Sequence, residues 1–135
     1  MHFAQTALDG GEETQLREFW DETEPKNRVA LIDRLAKAGD AVCRQLMDDV
    51  AHYLGVGIAN VINAFNPSVF LICGGMTNSG PELLERIKEQ TWPHVLPAYI
   101  EQGIELRYGS LGANAGWIGA TYAAELRAGN GNCAA

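Results

Sequence analysis

An unbroken apolar segment, Val69–Cys73, lies between an Asn66-Pro67 pair and the glycines Gly74-Gly75, and it limits the fold of this chain more than any other segment. The residue before a proline avoids the helical region, so the helical pattern that precedes the pair is predicted to end there. Five apolar residues without a polar break predict a strand that is covered on both faces, as in a parallel sheet. Pro81 suits the first turn of a new helix. The pattern therefore predicts an α/β protein.

The glycine turn after this strand is the one place where the sequence predicts a binding site. Ligands of α/β sheets collect at the carboxyl ends of strands, beside helix N-termini. Gly74 and Gly75 would let a flat or anionic ligand approach the backbone closely. The small polar residues 77–80 complete the loop.

The segments before the strand predict helices. Residues 1–8, 14–21 and 27–38 have helical spacing of apolar residues, and Gly39 and Asp40 suit a helix end followed by an N-cap. A long helix is predicted from Asp40 to Phe65. Its expected apolar face contains Leu46, Val50, Tyr53, Leu54, Ile58, Val61, Ile62 and Phe65.

Four residues inside that helix need a physical reason. Glycine costs about 1 kcal/mol relative to alanine in a helix, so Gly55 and Gly57 predict close packing against another backbone, with ligand contact as the alternative. Asn60 and Asn63 are expected to hydrogen-bond neighbouring loops, because buried amides need partners.

The segments after the strand predict a helix at 81–91, a second strand at 104–108 and a final helix at 114–127. Residues 129–135 are expected to be a flexible tail. Two strands do not form an independently stable sheet, and the first helix has no N-cap. We therefore expect residues 1–128 to be a piece of a larger domain. An open strand edge and an apolar helix also favour self-association, as a homodimer or higher oligomer.

Composition excludes several classes of function. The chain has 135 residues, is 47% hydrophobic and has a net charge of −7, which argues against nucleic-acid or anionic-membrane binding. No apolar run approaches the roughly 18 residues of a membrane span. His2, His52 and His94 lack metal-site spacing, and Cys43, Cys73 and Cys133 form no CxxC pair. Cys43 and Cys73 are expected to be small buried hydrophobic residues.

The residues YLGVGIANVINAFNP at 53–67, the strand 69–73 and Gly74-Gly75-Met76 together resemble the C-terminal half of ROK family proteins. Ala38-Gly39-Asp40 resembles the loop before the long helix of that family, and residues 111–120 resemble its LG…AGxIGA stretch. The family contains bacterial sugar kinases and sugar-responsive repressors.

The resemblance implies a partial actin/hexokinase-like (ribonuclease H-like) C-terminal lobe, mostly helical with a short parallel-type sheet. It implies that Gly74, Gly75 and Met76 form the adenosine motif, with Thr77 and Asn78 near the ribose. Methionine stands at position 76, where the family has a third glycine. The parent protein would bind ATP with Mg²⁺ and a small-molecule sugar in the cytoplasm.

Other family motifs have no counterpart in these residues. They are the DxGGT phosphate loop, the Asn-Asp pair with the general base, the sugar-contacting Glu-His region and the zinc motif. No catalytic or metal-binding residue is therefore assigned, and the chain alone is expected to phosphorylate no hexose. A missing N-terminal lobe would be its partner.

Three classes of function remain open. The first, which we favour, is the nucleotide-side lobe of an ATP-dependent hexose kinase such as a glucokinase, because Gly74-Gly75 and Ala115–Ala120 are nearer the kinase pattern. The second is the effector or dimerisation domain of a NagC-type repressor. The third is a stand-alone binding module. A DxGGT loop upstream of Met1 would favour the kinase, and a winged helix-turn-helix would favour the repressor.

Overall fold

The computed structural model describes residues 2–11 and 13–130, without the side chains of residues 2, 129 and 130. Within that part of the chain, the helices are α1 (His2–Asp9), α2 (Leu16–Phe19), α3 (Arg28–Ala38), α4 (Ala41–Phe65), α5 (Pro81–Thr91), α6 (Pro97–Glu101) and α7 (Ala115–Asn130). The strands are β1 (Val69–Ile72) and β2 (Glu105–Tyr108). The order of the predicted elements is confirmed, and α6 is an additional helix between the predicted helix at 81–91 and the predicted strand at 104–108.

The two strands pair in parallel, with Val69 opposite Glu105 and Ile72 opposite Tyr108. Helices α5 and α6 lie between them in sequence. Phe70 and Ile72 pack against the core, whereas Val69 and Leu71 are exposed, Leu71 to 49%. The prediction that both faces of β1 are covered is therefore wrong for this chain. The described residues place core side chains on only one face of this two-stranded sheet.

The core forms where α4 packs against α3 and α5. Its fully buried members include Cys43, Ile62 and Ile87. The predicted apolar face of α4 is only partly correct, because Tyr53, Val61 and Phe65 are exposed, Phe65 to 78%. These side chains lie on a side of the helix that neither α3 nor α5 covers.

The close approach predicted for α4 occurs at Gly55. A Cβ atom placed there would lie 2.6 Å from Cβ and 2.8 Å from the carbonyl carbon of Gln90 in α5. Gly57 has no such neighbour, since no atom lies within 4 Å of its Cβ position. Close packing therefore explains one of the two glycines.

The predicted helix boundaries around α4 are confirmed. Gly39 adopts a left-handed conformation with φ 108°, and the Asp40 side chain accepts a hydrogen bond from the Cys43 backbone N–H at 2.9 Å. At the other end, Asn66 closes the helix with φ 45°. Asn63 donates to the His94 carbonyl at 2.8 Å and accepts from the Leu96 N–H at 3.0 Å, as expected for an amide that holds a loop.

Helix α7 has almost no packing within the described chain. Every residue from 116 to 128 is exposed, and Trp117 is 80% exposed. The helix extends over residues 129 and 130, which the sequence analysis assigned to the tail. The rest of the predicted tail, 131–135, lies outside the described residues. None of the helices in the described ranges combines the length and apolar character that crossing a membrane requires.

Candidate functional site

The candidate site is the loop that joins β1 to α5, residues 74–80, called the glycine loop below. It begins at Gly74 with φ 103°, continues as a 3-10 turn over Gly75–Ser79 and ends at Gly80 with φ 87°. L-residues with side chains rarely adopt these positive φ values, so glycine at both ends allows the chain to reverse sharply. Pro81 then occupies the first turn of α5, as predicted.

Hydrogen bonds within the glycine loop fix its first half. The Thr77 N–H and hydroxyl both donate to the Gly74 carbonyl, at 3.1 and 2.8 Å. The Gly74 N–H donates to the Gly112 carbonyl at 3.0 Å, which joins the loop to the turn before α7. The site is thus built where the segments after both strands meet, as expected at the carboxyl edge of a parallel sheet.

The five predicted site residues play different parts in this geometry. Gly74 and Gly75 present open backbone, because no atom lies within 4 Å of either Cβ position. Met76 is half-buried and packs against the core. The Thr77 hydroxyl is engaged with the loop itself, and Asn78 is exposed.

Two cavities flank the glycine loop. An apolar one of about 430 Å³ is lined by Met76 together with side chains of α1, α3 and α4, including Val29 and Tyr53. A more polar one of about 620 Å³ is lined by Asn78 and Gly80, the start of α5 and the charged side chains of Asp33 and Lys37. Met76, the departure from the family pattern, therefore forms a wall of the apolar cavity.

Sequence reasoning missed two residues that contact the glycine loop. The Lys37 ammonium on α3 donates to the Ser79 carbonyl at 2.8 Å, and the Tyr108 hydroxyl at the end of β2 donates to the Gly80 carbonyl at 3.2 Å. Burial and the nearby Asp33 carboxylate raise the pKa of Tyr108, so its hydroxyl remains a donor at neutral pH. Both bonds end on backbone carbonyls far away in sequence, and no local motif signals such partners.

The described residues contain no group of three His, Cys, Asp or Glu side chains that could hold a metal ion. The open backbone at Gly74 and Gly75 fits a flat nucleoside, which needs a surface free of side chains. Phosphates and Mg²⁺ would need charged partners in addition. The loop therefore leaves room for a flat ligand at its start, and the described residues around it form no metal cluster.

Solved structures identify the fold. The chain is similar to a ROK family glucokinase from Streptomyces griseus in complex with glucose and AMPPNP, with a TM-score of 0.59 at 27% identity over 66% of this chain and 28% of that one. It is also similar to a ROK family transcriptional regulator, a homolog of the E. coli MLC protein, with a TM-score of 0.61 at 30% identity over 77% of this chain and 25% of that one. The fold is thus part of the actin-like fold that sugar kinases and these regulators share.

The chain belongs to the ROK family, whose model matches residues 12–126. Over 84 residues it is 42% identical to a glucokinase from Halalkalibacterium halodurans. This match covers 62% of this chain and 25% of the relative. Over 58 residues it is 38% identical to a xylose repressor from Caldicellulosiruptor bescii, covering 43% of this chain and 14% of the relative. The chain spans at most about a quarter of the length of these two relatives. The resemblance stated from the sequence is confirmed, and the relatives of this chain in the family include both glucokinases and repressors.

Proposed function

We propose that this chain is the nucleotide-side lobe of an ATP-dependent hexose kinase such as a glucokinase. The observation that carries the proposal is the open backbone of Gly74 and Gly75 at the end of β1. A nucleoside ring can reach a backbone only where side chains leave it free. The polar neighbours Thr77 and Asn78 are suited to the ribose, whose hydroxyl groups need hydrogen-bonding partners.

In this proposal, the chain binds and orients the nucleoside and performs no chemistry itself. ATP, with Mg²⁺, would supply the phosphoryl group to a sugar hydroxyl. Gly74 and Gly75 would contact the adenosine, and Met76 would lie beneath it as a packing residue. The internal bonds of Thr77 to Gly74 keep the first half of the loop in one shape before the ligand arrives, which lowers the entropy lost on binding.

The relatives support this reading. The Halalkalibacterium halodurans glucokinase matches at 42% identity over 84 residues, whereas the xylose repressors match at 38% identity or less. The Streptomyces griseus glucokinase of similar fold was solved with AMPPNP, an ATP analogue. In this proposal, the partners of the present chain would be the remaining lobe of a kinase, a sugar and a second copy of the chain. The protein would work in the cytoplasm, where ATP is made.

A second candidate function is the effector or dimerisation domain of a ROK-type repressor. The similarity to the MLC-like regulator supports it, because that match is 30% identical over 77% of this chain. A repressor would respond to a sugar and would not need a nucleotide. Nucleotide binding therefore separates the two candidates.

The test is a titration of the ¹⁵N-labelled chain with AMPPNP, followed through backbone amide shifts. We expect Gly74, Gly75 and Thr77 to shift at millimolar nucleotide, since a Kd of about 1 mM corresponds to only about −4 kcal/mol. Gly75→Val should abolish the shifts, because its side chain would fill the space left open for the ligand.

The matched control is Gly119→Val in α7. Like Gly75, Gly119 has no atom within 4 Å of its Cβ position, and its backbone requires no positive φ. This variant should bind AMPPNP like the wild type. Equal binding by a folded Gly75→Val variant would refute the assignment of the loop. No shifts with AMPPNP at millimolar concentration would favour the repressor, which needs no nucleotide.

A further inference from the structure

The second half of the glycine loop receives hydrogen bonds from neighbouring elements of the fold. The bond that closes its last turn, from the Gly80 N–H to the Thr77 carbonyl, is long at 3.4 Å. Short 3-10 turns have poor hydrogen-bond geometry, and glycine at both ends leaves the backbone torsionally free. Bonds from neighbouring elements can therefore add to the weak hold that the turn has on residues 78–80.

Lys37 supplies the first external bond. Its ammonium group donates to the Ser79 carbonyl at 2.8 Å and also to the Asp33 carboxylate at 2.8 Å, one turn earlier on α3. The Asp33 side chain is only 18% exposed, so the ion pair is partly shielded from water. Asp33 thereby holds the ammonium group at the carbonyl, and the bond to Ser79 is strengthened by the charge of its donor.

Tyr108 supplies the second external bond, from a different element of the fold. Its hydroxyl donates to the Gly80 carbonyl at 3.2 Å from the last residue of β2, and its ring packs against the core. A ring fixed by packing places its hydroxyl with little loss of side-chain entropy. Two successive carbonyls, those of Ser79 and Gly80, are thus bound by two different elements.

We propose that Lys37 and Tyr108 are positioning residues, which hold the glycine loop between α3 and β2 in the shape that receives the nucleoside. The inference rests on the proposed function for its ligand, but the hold on the loop is a property of this chain alone. A ligand binds more weakly when only a fraction of the protein has the receptive shape. Weakening these two bonds should therefore free the loop first and reduce nucleotide affinity as a consequence.

The first experiment measures amide hydrogen exchange of Thr77 and Gly80 in the chain without ligand. Lys37→Met should speed this exchange about tenfold, the size expected for losing a hydrogen bond to a charged group, and Tyr108→Phe about threefold. Lys37→Arg keeps a cationic donor and should remain near the wild type. The Ala59 amide in α4 serves as the reference for global opening.

Lys88→Met is the matched control. Lys88 forms an ion pair with Glu85 at 2.8 Å on α5. Like Lys37→Met, this variant therefore removes a partly exposed lysine and its ion pair with a carboxylate on the same helix. It should leave the exchange of Thr77 and Gly80 unchanged. Equal acceleration in Lys37→Met and Lys88→Met, or no acceleration in Lys37→Met and Tyr108→Phe, would overturn the inference.

The second experiment titrates AMPPNP into the double variant Lys37→Met/Tyr108→Phe. We expect the Kd to rise at least about threefold, because the receptive shape no longer dominates. Faster exchange with an unchanged Kd would overturn the positioning role and leave a structural one. If the wild-type chain binds no AMPPNP, the proposed function fails, and the exchange result alone decides whether the two side chains position the loop.

Discussion

Adding one methyl group at Gly55 or at Gly57 should change the stability of this chain in opposite directions. Both glycines lie in α4, two residues apart, and both would gain about 1 kcal/mol of helix propensity as alanine. At Gly55 the new methyl group would lie 2.6 Å from the Gln90 Cβ and 2.8 Å from the Gln90 carbonyl carbon. At Gly57 it would meet no atom within 4 Å.

Both variants gain the same helix propensity, so the difference between their unfolding free energies measures the steric cost of the new methyl group at Gly55. Overpacking a well-filled interface costs about 1–3 kcal/mol, and the upper half of that range applies when a backbone atom must move. The Gln90 carbonyl carbon can move only if α5 shifts as a whole. We therefore expect Gly57→Ala to raise the free energy of unfolding by up to about 1 kcal/mol. Gly55→Ala should be less stable than Gly57→Ala by about 2–3 kcal/mol.

Urea denaturation of the wild type and the two variants, followed by circular dichroism, measures this difference. The dependence of the unfolding free energy on urea concentration should be the same in all three proteins, so that the midpoints compare directly. If Gly55→Ala were stabilised as much as Gly57→Ala, the packing of α4 on α5 described above would be wrong.

Three further predictions concern other parts of the chain. Asp40→Ala, which removes the acceptor of the Cys43 and Gln15 N–H groups, should lower the free energy of unfolding by about 1–2 kcal/mol at pH 7. Burial raises the pKa of Asp40, but its hydrogen bonds lower the pKa by more, so the net shift is downward. The carboxylate therefore stabilises the fold above the unfolded pKa of about 4. The difference in unfolding free energy between the wild type and Asp40→Ala should shrink below that pH. If the urea midpoints of the two proteins differed as much at pH 3 as at pH 7, this prediction would be wrong. Iodoacetamide at pH 8 should label the exposed Cys73 long before Cys43, since burial and the charge of Asp40 raise the pKa of Cys43 to about 12; peptide mapping that finds equal labelling would refute this. Light scattering should detect self-association at about 10–100 μM, a typical range for modest interfaces, and Leu71→Lys on the open face of β1 should reduce it; a monomer at every concentration would argue against the interface.

The sequence predicted the elements whose signals are local. Asp40 as an N-cap, Gly39 and Asn66 as helix ends and Pro81 as a helix start each depend on the conformational limits of a single residue. The parallel pairing followed from the apolar run in β1. The burial of β1 on both faces was predicted wrongly, because the same run suits any sheet and does not reveal how many elements cover it. Cys73 was wrongly predicted to be buried for the same reason.

The candidate site was predicted only in part. Gly74 and Gly75 could be found because a pair of glycines after an apolar strand is visible in the sequence itself. Lys37 and Tyr108 could not, because their partners are the carbonyls of Ser79 and Gly80, 42 and 28 residues away. A lysine on a helix has the same sequence signal whether it faces water or a distant backbone oxygen.

The exposure of α7 has a consequence for its helix–coil equilibrium. A helix without tertiary packing depends on nucleation and propensity, and segments of about 12–15 residues are marginal in water. Helix α7 has 16 residues and contains Gly116 and Gly119, each about 1 kcal/mol less favourable than alanine. A surface that covers Trp117 would therefore also determine how much of residues 115–130 is helical. Folding of this segment and binding to such a surface would form one coupled equilibrium, and the measured affinity would include the free energy of ordering the helix.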